Sequence, residues 1–329
     1  MFRVLAVGGG TGLSTVLRGL KYHVTQPARA ADFHPTISRL TAVVTVTDEG
    51  GSSGRLRRDL RILPPGDIRN CLVALAEDEQ LLTKLFNYRF TKGQGLRGHS
   101  LGNLLLAALT HLTHDFAKAV CLSSEVLAIR GEIFPSTLAD VHLKAVRSDG
   151  VVLHGERSIT RTRVPIRSLQ IVPVHCRPLP ETLAAIREAD LITFGPGSLY
   201  TSLVPNLLVQ GIPAVIARAR AVKVLVCNLM TQPGETRGYS AADHVRALHE
   251  HAGHKLFDYV VLNTRPLSSR LLARYAAEGA EPVRRDLDAV RALGVKPLCA
   301  DLLIEDHVAR HNSRYLAEIL LSLVKRRTV

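Results

Sequence analysis

Short apolar runs rich in Val, Ile and Leu recur at 3–7, 40–46, 190–194, 223–227 and 258–263, and much of the sequence between them repeats its apolar positions at helical spacing. Such runs predict strands buried on both faces, and the spacing between them predicts amphipathic helices. Helices are expected at 12–22, 67–77, 100–112, 180–188, 241–251, 268–277, 286–292 and 312–325. Start signals support several of them: Asp67 before Ile68, Pro180-Glu181 in a first turn, and Ser240 ahead of Asp243. The alternation predicts an α/β, Rossmann-like fold, a doubly wound and mainly parallel sheet with helices on both faces. The pattern breaks at about 140–172. There VHLKAVRSDGVVLHGE reads as two strands around Asp149-Gly150, and Ile166 to Val172 as a third. Neither flank has a linker's composition, so one domain is expected over 1–329, with a small antiparallel insertion. A polar loop is expected at 25–38.

The chain has 329 residues, 46% of them hydrophobic, enough for a full core. The 42 Lys and Arg against 29 Asp and Glu give a net charge of +13, which favours anionic partners: nucleotides, nucleic acid or an anionic membrane surface. Basic residues cluster at Arg55 to Arg61, Arg161 to Arg167, Arg218 to Lys223 and Lys325 to Arg327, and are expected to be mostly solvated. No cluster is interleaved with aromatics and Trp is absent, so nucleic acid is not the expected partner. The five cysteines are scattered without a CxxC pair, which predicts neither disulfides nor zinc and fits a reducing cytoplasm. Met1 leads straight into the first strand, so no signal peptide is expected. The uncharged stretch Leu191 to Ala217 is long enough to span a bilayer, but Gly195, Pro196, Gly197, Pro205, Gly211 and Pro213 break it into short buried elements. No membrane span is expected.

Two glycine-rich turns carry the strongest chemistry. GGGTGLSTVLRGL, Gly8 to Leu20, reads as strand, glycine turn, helix. Glycines let several backbone N–H groups approach one oxyanion, and the opening helix adds its positive end. Gly8, Gly9, Gly10 and Gly12 meet that need, and Thr11 and Ser14 add hydroxyls. Leu13 stands where the dinucleotide fingerprint requires its third glycine, so a phosphate is favoured and NAD is not. FGPGSLYTSLVPN, Phe194 to Asn206, repeats the arrangement on a second strand.

Other polar groups close other strands. TDEGGSSGRLR, Thr47 to Arg57, places Asp48 and Glu49 beside the crevice, suggesting hydrated magnesium or recognition of a sugar hydroxyl. Gly50 to Gly54 would form a second flexible anion-binding turn, with Arg55 or Arg57 able to pair with phosphate. In PPGDIRN, Asp67 would cap a helix, Asn70 would face ligand or solvent, and Arg69 would be a surface charge. GHSLGN puts His99, Ser100 and Asn103 at a helix start. Asn228, Thr231 and Gln232 in CNLMTQPGET, and Asn263 with Thr264, could read a base or sugar edge. No GxSxG elbow, HExxH pair or Cys-base pairing marks a nucleophile, so no catalytic residue is assigned.

Taken in order, GGGTGLS, TDEGGSSGRLR, PPGDIRN, GHSLGN, FGPGSLYTSLVPN, CNLMTQPGET and the late VARHN (Val308 to Asn312) resemble the YvcK family, often labelled gluconeogenesis factors, within the superfamily of the phospholactate transferase of deazaflavin-cofactor biosynthesis. The resemblance spans essentially the whole chain. It implies a cytoplasmic bacterial regulator that binds a UDP-sugar, with UDP-N-acetylglucosamine the ligand class, and links carbon metabolism during gluconeogenic growth to cell-wall synthesis and cell shape. Carried over motif by motif, Gly9, Gly10, Thr11 and Gly12 would approach phosphate or uridine. Asp48 and Asn70 would line the crevice, and Gly195, Gly197, Ser198 and Tyr200 would hold its other side. Asn228 and Thr231 complete the expected nucleotide-sugar site, and Arg310 within VARHN would clamp the anion. Ser313, at the start of the last helix, is an expected target of a Ser/Thr kinase. Cell-wall or morphogenesis proteins are the expected partners, and a homodimer the expected assembly.

The family usually reads aspartate-aspartate-glycine where this chain has Asp48, Glu49 and Gly50, which weakens the inference of magnesium. No cofactor is required on this reading, with Asp48 the single candidate magnesium ligand. The competing reading is a magnesium-dependent phospholactate transferase acting on a deazaflavin alcohol.

Overall fold

The computed structural model describes residues 1–25, 36–77 and 81–326. Most of the polar loop expected at 25–38, and Arg327 of the last basic cluster, lie outside the described residues. The strands are β1 (Phe2–Gly8), β2 (Ile37–Val44), β3 (Glu132–Pro135), β4 (His142–Arg147), β5 (Val152–His154), β6 (Ile166–Val172), β7 (Leu191–Phe194), β8 (Val222–Val226), β9 (Tyr259–Asn263), β10 (Lys296–Ala300), β11 (Leu303–Glu305) and β12 (Ala309–His311). Seven of them form one parallel sheet in the order β10-β9-β8-β7-β1-β2-β3. The chain leaves β1 towards β2 and later returns to lay β7 on its other flank. The crevice beyond the carboxyl ends of β1 and β7 is therefore the topological switch point, where ligands bind in sheets of this kind.

Val4 to Val7 pair with Leu40 to Val43 on one side and Leu191 to Phe194 on the other. All four are buried, as the unbroken apolar run required. The helices Gly10–Leu20, Gly66–Leu75 and Ser313–Lys325 pack together, and Pro180–Glu188, Val204–Leu208, Ile212–Arg218 and Ala241–Ala252 form a second group of neighbours. Gly19 lets the first and last of these helices touch: a Cβ there would lie 1.9 Å from the Ser313 carbonyl oxygen. The result is the α/β Rossmann-like architecture the periodicity predicts, and β5-β4-β6 form a small antiparallel sheet where the pattern breaks.

Four strands are absent from the sequence reading: β11 and β12, a separate short antiparallel pair, and β3 and β10, which are the two edges of the parallel sheet. Both edge strands are part exposed, and β10 has no buried residue, so neither carries a continuous apolar run. The expectation of a flexible anion-binding turn at Gly50 to Gly54 is corrected. Gly51–Leu60 is a helix. Its glycines and serines are poor helix formers, and tertiary contacts hold it. Ser52 Oγ meets His99 Nδ1 at 2.9 Å, Gly54 packs against the Glu49 carbonyl, and Arg57 reaches Asp140 and, at 2.6 Å, the Val141 carbonyl. Arg57 and Arg69 are buried rather than solvated. Among the described residues no single helix is long and apolar enough to cross a membrane. The stretch 191–217 becomes β7, a wide helical turn at Leu199–Leu203, and two short helices.

Candidate functional site

A cleft of about 720 Å³ opens at the switch point. The glycine turn after β1 forms one side, the loop after β7 the other, and β12 reaches over from the C-terminal region. Of the expected site residues, Gly9, Gly10, Thr11, Gly12, Asn70, Gly197, Ser198, Asn228 and Arg310 line it. Asp48, Gly195, Tyr200 and Thr231 do not.

The first turn is built by close approach. A Cβ at Gly9 would come 2.6 Å from the Asp67 carboxylate, and one at Gly12 would come 2.1 Å from the Pro196 carbonyl oxygen of the other loop. Gly10 has φ +59°, a left-handed conformation that favours glycine. The hydroxyls of Ser14 and Thr15 turn back to the carbonyls of Gly10 and Thr11, at 3.0 and 3.1 Å, so Ser14 is not the donor the sequence suggested.

Asp67 is also reassigned. The cap of its helix is Pro65, and the half-buried Asp67 carboxyl, on the cleft wall, instead accepts the Gly10 N–H. Burial first, then the neighbouring Asp48 and Glu156, push its pKa well above the usual carboxylate range. Glu156 lines the cleft from the insertion, and burial with Asp48 beside it raises its pKa to about 7. Asp48 sits behind this pair, accepting the Gly50 N–H at 2.7 Å. Glu49 points away from the crevice: it accepts the Glu156 N–H at 3.1 Å, its own N–H donates to Glu156 at 2.7 Å, and it pairs with His142 at 2.9 Å. The adjacent carboxylates Asp48 and Glu49 thus do not act together. Asp48, Asp67 and Glu156 each hold a backbone N–H, and no three His, Cys, Asp or Glu side chains among the described residues are arranged to hold a metal ion. The residues do not fit a preformed magnesium cage.

The second loop differs from its expected role. The N–H groups of Tyr200 and Thr201 donate to the buried Glu235 carboxylate at 2.8 and 3.3 Å, and the Thr201 hydroxyl donates at 2.9 Å. The acceptor at this helix start is the protein's own, a carboxyl whose pKa burial raises. Tyr200 is buried, its hydroxyl 2.8 Å from that of Tyr239, which removes it from the ligand site. Asn228 accepts the Gly197 N–H at 3.0 Å and donates to its carbonyl at 2.8 Å, clamping that peptide. Thr231 is buried: its N–H donates to the Glu281 carbonyl and its hydroxyl oxygen accepts the Glu281 N–H at 3.0 Å, and Asn263 spends its amide on Arg265 and Leu302.

Sequence reasoning missed Arg18, Glu156 and His311, which line the cleft. Arg18 follows Thr11 and Thr15 on one helix face, a signal that was present in the spacing. Glu156 meets Glu49 across 107 residues, and no local pattern announces it. Neither Arg18 nor Arg310 forms an ion pair among the described residues, and both are exposed.

A family model described as 2-phospho-L-lactate transferase CofD matches residues 4–303. The chain is 47% identical over 319 residues to the gluconeogenesis factor of Halalkalibacterium halodurans, covering 97% of this chain and 95% of that protein. It is 45% identical over 324 residues to the gluconeogenesis factor of Bacillus subtilis, covering 98% of each. The crystal structure of a UPF0052 family member from Bacillus halodurans superposes with a TM-score of 0.91 at 47% identity, over 97% of this chain and 99% of that one. The chain belongs to the CofD-like family, together with relatives named gluconeogenesis factor.

Proposed function

We propose that the cleft binds a nucleoside diphosphate sugar, of the UDP-N-acetylglucosamine class, and that the protein is a cytoplasmic regulator coupling carbon metabolism to cell-wall synthesis and cell shape. The observation that carries the reading is the cleft itself: a glycine turn at the switch point, with the unpaired arginines Arg18 and Arg310 on its walls. Diphosphate needs such cations, because the turn's own Gly10 N–H already faces Asp67. An anion there is compatible with Asp67 and Glu156 in their protonated forms, which the raised pKa values favour. Asn70 and Ser198 supply further polar contacts from opposite sides.

A second reading, a phospholactate transferase acting on a deazaflavin alcohol, is favoured by the description of the matching family. Magnesium would supply phosphate activation in that reaction, and among the described residues Asp48, Asp67 and Glu156 are the carboxyl groups gathered behind the turn. Their commitment to backbone N–H groups favours the regulator. Calorimetric titration with UDP-N-acetylglucosamine, GDP, NAD and a deazaflavin alcohol separates the two. Tight binding of the UDP-sugar without turnover of a phospholactyl donor is expected, and turnover of that donor would replace the regulator by the transferase.

A further inference from the structure

Two acceptors in the cleft wall have no partner. His311 ends β12 with its side chain buried and the residue only 7% exposed. Its ring donates to the Cys227 carbonyl, and Nε2 is the nitrogen left without a hydrogen bond. Burial lowers its pKa to about 4, so the ring is neutral at physiological pH. A neutral imidazole that donates through Nδ1 can only accept through Nε2. Gln232, on the loop after β8, donates through its amide nitrogen to Ser198 Oγ at 2.8 Å, and its Oε1 is buried without a partner. Both residues line the cleft. Buried polar atoms are nearly always satisfied, so two orphaned acceptors on residues that line one cleft point to donors brought by the ligand.

We propose that His311 Nε2 and Gln232 Oε1 read a vicinal diol on a sugar ring of the bound nucleotide, each accepting from one hydroxyl. This rests on the nucleotide-sugar reading above and specifies which part of the ligand this wall recognises. A phosphate is the wrong group here, because it is an acceptor at neutral pH and would meet two lone pairs. A uracil edge fits no better: it offers one N–H between two carbonyls, and the Gln232 donor that could meet a carbonyl is spent on Ser198. Two O–H groups on adjacent carbons would give each of these acceptors one donor. The diol can come from the ribose or from the hexose.

The full chain would be titrated with UDP and its 2′-deoxy and 3′-deoxy forms, with UDP-N-acetylglucosamine and its 3-deoxy and 4-deoxy hexose analogues, and with GDP and ADP beside their 2′-deoxy forms. The variants are His311→Asn, which keeps a donor for the Cys227 carbonyl and deletes the Nε2 acceptor, and Gln232→Met, which removes the amide at similar length. Wild type should prefer the hydroxylated ligand by about tenfold. Each variant should lose about tenfold for that ligand and nothing for the matching deoxy ligand, so the preference disappears. A preference confined to the ribose pairs assigns the ribose, and one confined to the hexose pairs assigns the hexose. Variants that weaken hydroxylated and deoxy ligands equally, or weaken neither, overturn the proposal. If uridine ligands fail while guanosine or adenosine pairs are still discriminated through His311, the uridine reading falls and the diol reading stands. If wild type binds no nucleotide at all, both fall.

Discussion

The glycine turns after β1 and β7 look alike in sequence and do different work in the structure. Both place a helix start at the carboxyl end of a buried strand, and both therefore present unpaired N–H groups that favour an anion. After β7 the protein supplies the acceptor itself, through Glu235 on the Tyr200 and Thr201 N–H groups, a carboxyl whose pKa burial also raises, and Asn228 fixes the Gly197 peptide. After β1 the opposing group is Asp67, whose burial favours the neutral acid, and the turn opens on the cleft. One turn is sealed and the other is left available. The difference lies in which distant side chain arrives at the helix start, and nothing within either turn encodes it.

The largest effect should come from the point where the two turns touch. Gly12→Ala places a Cβ 2.1 Å from the Pro196 carbonyl oxygen, a contact with backbone that cannot rotate away. Overpacking of this kind should lower stability by about 3 kcal/mol, read as a fall in the denaturant midpoint. A midpoint equal to that of wild type would mean that the turns are not held in register by this contact.

Exchanging the two acids sharpens the comparison next. Glu235→Ala strands two buried N–H groups and the Thr201 hydroxyl, and should cost about 2–3 kcal/mol of stability. Asp67→Asn replaces an acid favoured in its neutral form by a near-isostere, and should leave the midpoint within about 0.5 kcal/mol of wild type. Equal losses in the two variants would make both turns structural, and the distinction between sealed and open would fail.

The legibility of the fold follows the same division between local and distant. β1, β2, β7, β8 and β9 are central or near-central, so their residues are apolar on both faces and visible as runs. The antiparallel strands β4 to β6 carry their own turn signal at Asp149-Gly150. The edge strands β3 and β10, and the helix Gly51–Leu60, depend on partners far along the chain and left little local trace. In the cleft, the glycines were readable because close backbone approach admits no other residue. Arg310 and Tyr200 were both reached through the family resemblance, and the structure puts the first on the cleft and buries the second against Tyr239. The half-buried acids acquire their character from burial first and then from distant neighbours, Asp67 from Asp48 and Glu156 and Glu156 from Asp48, across elements that sequence order does not connect.

A smaller effect is expected on the open side of the cleft. Arg310→Ala removes an exposed, unpaired guanidinium from β12 and should weaken UDP-N-acetylglucosamine by about 2 kcal/mol, roughly thirtyfold, with the unfolding midpoint unchanged. Titration of both proteins checks this. Unchanged affinity would remove the clamp and leave Arg18 as the cation facing the diphosphate.

The smallest effect is a pH dependence that should belong to the open turn alone. Glu156 has its pKa raised to about 7, by burial first and then by Asp48, with Glu235 contributing and the Glu49 N–H opposing. Asp67, its other acidic neighbour, is displaced well upward as well. Because the folded-state pKa of Glu156 lies above its unfolded value, its contribution to stability is complete below about pH 4.5 and is lost as pH rises through about 7. An anionic ligand follows the same sign: a proton on Glu156 removes a negative charge from the cleft wall, so binding should be tighter at pH 6 than at pH 8. The difference should be severalfold, about 0.5–1 kcal/mol for a partly screened charge. Glu156→Gln should hold the affinity near its pH 6 value across the range. His311 does not interfere, since a pKa of about 4 keeps it neutral throughout this window. Titrations of wild type and Glu156→Gln with UDP-N-acetylglucosamine at pH 6, 7 and 8 test the idea, and a wild-type affinity that rises with pH would show that the carboxyl groups behind the glycine turn do not oppose the ligand's charge.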